Sequence, residues 1–178
     1  EISSINNLDD FKMFLNSNKN VLFPFYEIED TILFSEKANN AFSLIDNVYF
    51  DSLSFDVALE FENLQKVFSQ LDNSIEVLNN ESNRVFLPKV TVLTSGFFND
   101  IVVNQDNIVI GLDYFLPKSN KYKPRDLPSY ILDRYTPEHL NAISLSTYLS
   151  QFNLINELDL TMVNEMISFG KLYYVVSK

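Results

Sequence analysis

A chain of 178 residues that is 46% hydrophobic, with 16 Phe and 9 Tyr, can bury a core and is too apolar to stay disordered. Its formal net charge of −11 argues against a nucleic-acid partner and against adsorption to an anionic membrane face. The lack of any cysteine rules out disulfides, thiolate metal sites and a thiol nucleophile.

No apolar run approaches the roughly 18 residues of a membrane span. The start, Glu1-Ile2-Ser3-Ser4, has neither the basic end nor the apolar stretch of a signal peptide. Such a start suits a cytoplasmic protein or a matured exported one. Three glycines in the whole chain predict many helices and few special turns.

In chain order, Asn6 and Asn7 cap a short amphipathic helix through Leu8, Phe11, Phe14 and Leu15. Residues 21–25, Val-Leu-Phe-Pro-Phe, read as an extended apolar piece that Pro24 keeps out of a helix. From Ile28 to Val48, apolar residues recur at helical steps, with Ala38, Ala41, Phe42 and Ile45 on one face. A stronger stripe from Ser54 to Leu78 predicts a second long helix. The two are expected to pair antiparallel and to lie against a later sheet.

Residues 86–116 form the strand-rich block. Val90–Thr94 is β-branched, and Ile101–Val103 and Ile108–Ile110 flank Asn104–Asn107, whose turn chemistry predicts a hairpin. Gly96 is expected at a bend and Gly111 at a strand end where another backbone comes close. The loop 117–135 carries Lys118, Lys121, Lys123, Arg125 and Arg134, a basic cluster in an acidic chain. Thr136-Pro137-Glu138 starts a helix that continues to Phe152, and a last helix begins near Leu160. The fold class is therefore α+β: helix-rich, one domain over 1–178, with a helical part at 1–80 and a small, mostly antiparallel sheet or hairpin in 85–178. An apolar end at Lys178 without a capping glycine suggests a fragment of a longer chain.

Catalytic chemistry is sparse. His139 is the only histidine, and a zinc site takes three or four ligands. No G-x-S-x-G surrounds a serine, and the glycines are too far apart to cradle a phosphate. Asp100, Asp106 and Asp113 lie beside the hairpin without the spacing of a calcium loop, so turn and cap roles are expected of them. The reading is no catalytic, cofactor or metal residue. The hairpin edge Ile101–Leu112 is expected to be exposed and to capture a partner by strand addition, with Ile101, Val103, Val109, Gly111 and Asp113 as its site residues.

Pro88-Lys89-Val90, Thr94-Ser95-Gly96-Phe97, Ile101-Val102-Val103 and Ile110-Gly111-Leu112-Asp113-Tyr114-Phe115-Leu116 together resemble the core of the GldB-type gliding-motility lipoproteins of Bacteroidetes. Tyr135–His139 and Asn164–Ile167 with Gly170–Tyr174 are similar to two later pieces of that family. The resemblance covers about 85–178, while the first 80 residues match only in being helical and aromatic-rich.

The resemblance implies a periplasm-facing envelope lipoprotein, anchored through an acylated cysteine ahead of Glu1, in a chain that continues past Lys178. Envelope motility and secretion proteins are the implied partners. The same layout is similar to zincin peptidases, which implies a zincin-like core. Here the helix after Glu138 has no H-E-x-x-H, and Phe169 stands where those enzymes carry a Glu before Gly170. Two readings stand: a non-catalytic envelope protein of gliding motility, or a hydrolase built from carboxylates.

Overall fold

The computed structural model describes residues 5, 7–30, 32–82, 87–125, 127–153 and 161–177. Its elements in order are α1 (Leu8–Ser17), α2 (Lys19–Phe25), α3 (Phe34–Ile45), α4 (Phe50–Glu60), α5 (Leu64–Ser82), β1 (Lys89–Leu93), β2 (Ile101–Val103), β3 (Asn107–Gly111), α6 (Ser129–Leu132), α7 (Leu140–Ser150) and α8 (Met162–Val176). Short 3-10 turns follow β3 at Leu112–Phe115 and precede α7 at Pro137–His139.

The chain is helix-rich α+β with a small sheet, as its patterning implies. The sheet is mixed. Its strand order is β1-β3-β2, with the expected antiparallel hairpin between β2 and β3 and a parallel pairing of β1 on β3. β3 is thus the middle strand.

Side chains alternate between two cores. Ile101, Ile108 and Ile110 face α4, α5 and α7, joining Leu53, Phe68, Ile75, Leu140 and Tyr148. Leu93 and Val109 face the other way, into Phe11, Leu15, Phe25, Tyr26, Ala38 and Ala41 of the first helices and their connections. Helices on both faces explain why β3 reads as an unbroken apolar run where a half-exposed strand would alternate.

Four expectations are corrected here. Residues 21–25 are helical: α2 contains Pro24, at its sixth position, where the missing N–H removes a single helical bond just before the helix ends. Next, the stripe 28–48 contributes only Phe34–Ile45. Asp30 Oδ1 accepts the Ile32 and Leu33 N–H groups at 2.8 and 3.0 Å, a local turn that holds the chain before α3, and Ile32 and Val48 are exposed.

The stripe from Ser54 is two helices. Between them Asn63 Oδ1 accepts the Lys66 N–H at 3.0 Å and caps α5. The expected antiparallel pair does not form, because α3 packs with α1 on one sheet face while α4 and α5 lie on the other.

α7 and α8 largely follow expectation. Thr136 Oγ1 lies 2.8 Å from His139 Nδ1 and makes no cap bond to the backbone. The residue expected to open the last helix, Leu160, lies outside the described residues. α8 is capped at Thr161, whose hydroxyl accepts the Asn164 N–H at 3.3 Å.

Candidate functional site

The centre of the strand block is a clasp made from one buried carboxylate. Asp113 is 1% exposed, in the turn that leaves β3. A charge cannot sit there without donors. The segment after β1 supplies them: Ser95 N–H donates at 2.9 Å and Phe97 N–H at 2.5 Å. The Ser95 hydroxyl lies 3.2 and 3.1 Å from the two carboxylate oxygens.

Aiming two nearby N–H groups at one carboxylate takes a tight local bend. Gly96 has φ of 70° and Phe97 φ of 63°, so two consecutive residues adopt the left-handed region. For Phe97 that conformation is costly, and its bonds hold it there: the N–H to Asp113, and its carbonyl accepting from Tyr114 Oη at 2.8 Å. Burial pushes the Asp113 carboxyl above the ordinary carboxylate range, against the opposing pull of the Ser95 and Phe97 N–H donors.

The clasp extends to both sides. Asn99 Nδ2 donates to the Phe25 carbonyl at 2.7 Å, tying the loop to the end of α2. The Tyr26 ring packs edge-on to Phe98 with centroids 5.0 Å apart, while its buried hydroxyl has no hydrogen-bond partner among the described residues. Burial and, after it, the charge of Asp113 raise the Tyr26 phenol above its ordinary value.

On the other side, Asp100 Oδ1 accepts the Ile101 N–H at 2.6 Å and Asp100 Oδ2 accepts from Tyr135 Oη. The Tyr135 phenol is raised by burial first and by that hydrogen bond second. Gly111 closes the arrangement. A Cβ there would collide with the Asn99 carbonyl oxygen and lie 3.1 Å from Ser95 Oγ. The close approach expected at Gly111 is real.

The expected exposed edge from Ile101 to Leu112 is corrected by the strand order. Val109 and Gly111 belong to the central strand and are buried, and Asp113 is inside the clasp. Strand addition to β3 has no open side. Of the five site residues only Val103 is half-buried; Ile101 is buried and its N–H is taken by Asp100. Ser95, Phe97, Asn99, Tyr26 and Tyr135, which the patterning did not assign to a common site, are what Asp113 and Asp100 hold together. The available signal was a carboxylate inside an apolar run, which needs buried donors nearby.

Two cations of the basic loop are held locally. Lys118 pairs with Asp133 at 2.7 Å, and Lys123 Nζ donates to the Pro117 carbonyl at 2.7 Å. Burial and the nearby Lys118 lower the Lys123 amine below its ordinary value. Among the described residues no three His, Asp or Glu side chains converge as a metal site, and no helix is long and apolar enough to cross a membrane.

These features define a helix-rich α+β domain whose central loop is locked onto its sheet by an Asp clasp. The whole chain, residues 1–178, matches the family described as gliding motility protein GldB, a lipoprotein family, and the chain belongs to it. The match takes in the first 80 residues, where the motifs alone were silent. No curated protein and no solved structure matches the chain.

Proposed function

We propose that this protein is a non-catalytic component of the cell envelope that supports gliding motility, or the secretion machinery linked to it, by binding other envelope proteins. It acts from the periplasmic side, held by a lipid anchor. The family supports the motility and lipoprotein parts of this reading. The observation that carries the non-catalytic part is the Asp113 clasp. The motif that most strongly resembles the family uses its carboxylate, Ser95 and two N–H groups to fasten a loop, with Ser95 and Asp113 closed to substrate.

Protein contact is supported by the outer face of α4. Phe55 and Leu59 lie one turn apart and are 68% and 67% exposed, more than a soluble helix ordinarily leaves unpartnered at consecutive turns.

The test is genetic and chemical. Deleting the gene in its host should abolish surface spreading, and the wild-type copy should restore it. A copy with Phe55→Lys and Leu59→Lys should accumulate normally yet fail to restore it. Normal spreading after deletion, stoichiometric zinc in the purified protein, or peptide hydrolysis that follows the protein through purification would each overturn the reading. The last two would favour the carboxylate hydrolase.

A further inference from the structure

α7 carries four serine and threonine hydroxyls, and three of them bond back to their own helix. Ser146 and Thr147 donate to the Ile143 carbonyl at 2.9 and 2.8 Å, and Ser150 donates to the Thr147 carbonyl at 2.7 Å. Such bonds are the usual outlet for these side chains inside a helix. Ser144 is the exception. It is 0% exposed, and its hydroxyl has no hydrogen-bond partner among the described residues.

Three residues earlier on the same helix, Asn141 presents a complementary atom. Its Nδ2 donates to the Val67 carbonyl of α5 at 2.6 Å. A carbonyl can only accept, so this bond fixes which way round the amide stands and leaves Oδ1 as an acceptor in need of a donor. Oδ1 is buried too, and among the described residues it finds none. Burying a polar atom without a partner is costly, and protein interiors pair nearly all of theirs. Two such atoms on adjoining positions of one helix point to a shared partner.

We propose that α7 binds one internal water beside α5, which accepts a hydrogen bond from the Ser144 hydroxyl and donates one to Asn141 Oδ1. Residues three apart on a helix have their β-carbons about 5–6 Å apart. Two O–H···O bonds of about 2.8 Å in series span such a gap. The two side chains make no direct bond to each other. Neither atom carries a charge, which favours a small neutral molecule that both donates and accepts over an ion. Buried waters ordinarily serve groups of this kind, at about one per 27 residues, so a chain of 178 has room for several. The water ties Ser144 to the amide that α7 extends to α5, and so fixes that seam without adding apolar area.

The water site is independent of the motility reading, and its test uses the purified 178-residue chain. A crystal structure that resolves ordered solvent should show one water within hydrogen-bond distance of both Ser144 Oγ and Asn141 Oδ1. Ser144→Ala should abolish that bridge and lower the folding constant at least about 3-fold more than Ser146→Ala does, read from urea titrations. Ser146 is the reference for a serine bonded to its own helix, and both substitutions gain the same helix propensity. A hydroxyl without any partner gives the opposite sign, because its removal relieves an unpaired group. Three results would each overturn the proposal: Ser144 Oγ found on a carbonyl of α7, no water that reaches both atoms, or Ser144→Ala as stable as Ser146→Ala.

Discussion

Replacing Gly111 by Ala tests the clasp at its tightest point. The backbone there has φ of −80° and ψ of 96°, which alanine adopts freely, so any cost comes from contact. The new Cβ meets the Asn99 carbonyl oxygen, and Asn99 cannot retreat without loosening its side-chain bond to Phe25. Overpacking of this kind costs about 1–3 kcal/mol. Moving the loop also weakens the Gly111 N–H bond to the Asp100 carbonyl, now 2.7 Å, for about 0.5–1.5 kcal/mol more. Alanine returns roughly 0.4–1 kcal/mol by restricting the unfolded chain. The net loss spans about 0.5–4 kcal/mol and centres near about 2 kcal/mol, which for a chain of this length lowers the melting temperature by roughly 4–8 °C. Urea unfolding and thermal melts followed by far-ultraviolet circular dichroism measure it. A variant that melts within about 1 °C of wild type would mean that the loop gives way freely, and the reasoning about the clasp would be wrong.

Asp113→Asn leaves one of the two N–H donors facing an amide and should cost about 2–4 kcal/mol at low pH. Burial raises the folded-state pKa of Asp113, so its contribution is fully present below the unfolded carboxyl value and declines as pH rises through the raised one. The penalty of Asp113→Asn should therefore shrink across that rise, read from urea midpoints at several pH values; a penalty that grows with pH would contradict it. Tyr26→Phe removes a buried hydroxyl that has no partner among the described residues and should be neutral or stabilising by up to about 1 kcal/mol, whereas a loss above about 1 kcal/mol in the same assay would reveal a bond to that hydroxyl. Asn63→Ala deletes the cap of α5 and should cost about 1 kcal/mol, detected as a lowered urea midpoint with unchanged slope.

Periodicity located most of the helices, because their buried faces recur at regular steps: Phe11 and Leu15 in α1, Ala38 and Ala41 in α3, Leu71 and Ile75 in α5. It failed where a single polar residue decided the outcome. Asn63 splits what the apolar stripe joins, since Phe61 and Leu64 keep the hydrophobic rhythm running across the break. The side-chain cap of Asn63 is a local signal that the stripe outweighs. The hairpin was legible from its turn residues, but the parallel partner β1 was not. Nothing in Val90–Leu93 states which strand it will join, and that pairing is what moved Val109 and Gly111 from an expected edge to the centre. The site was legible in part. Asp113 was expected in a turn, a cap or an exposed edge, and its donors include backbone N–H groups that no residue type announces.

β3 is a wall shared by two cores, and its position in the chain has a consequence for folding during synthesis. Phe11, Leu15, Phe25 and Ala41 pack on a face that includes Val109, so α1–α3 are made well before the strand that shelters them. Until residues 107–111 have emerged from the ribosome, roughly the first quarter of the protein lacks its backing and holds exposed aromatic surface. Contacts that reach this far along the chain are slow to form and leave the nascent segment open to wrong associations. A ribosome-bound chain halted before residue 107 should accordingly be digested through α1–α3 by a protease that spares the completed protein.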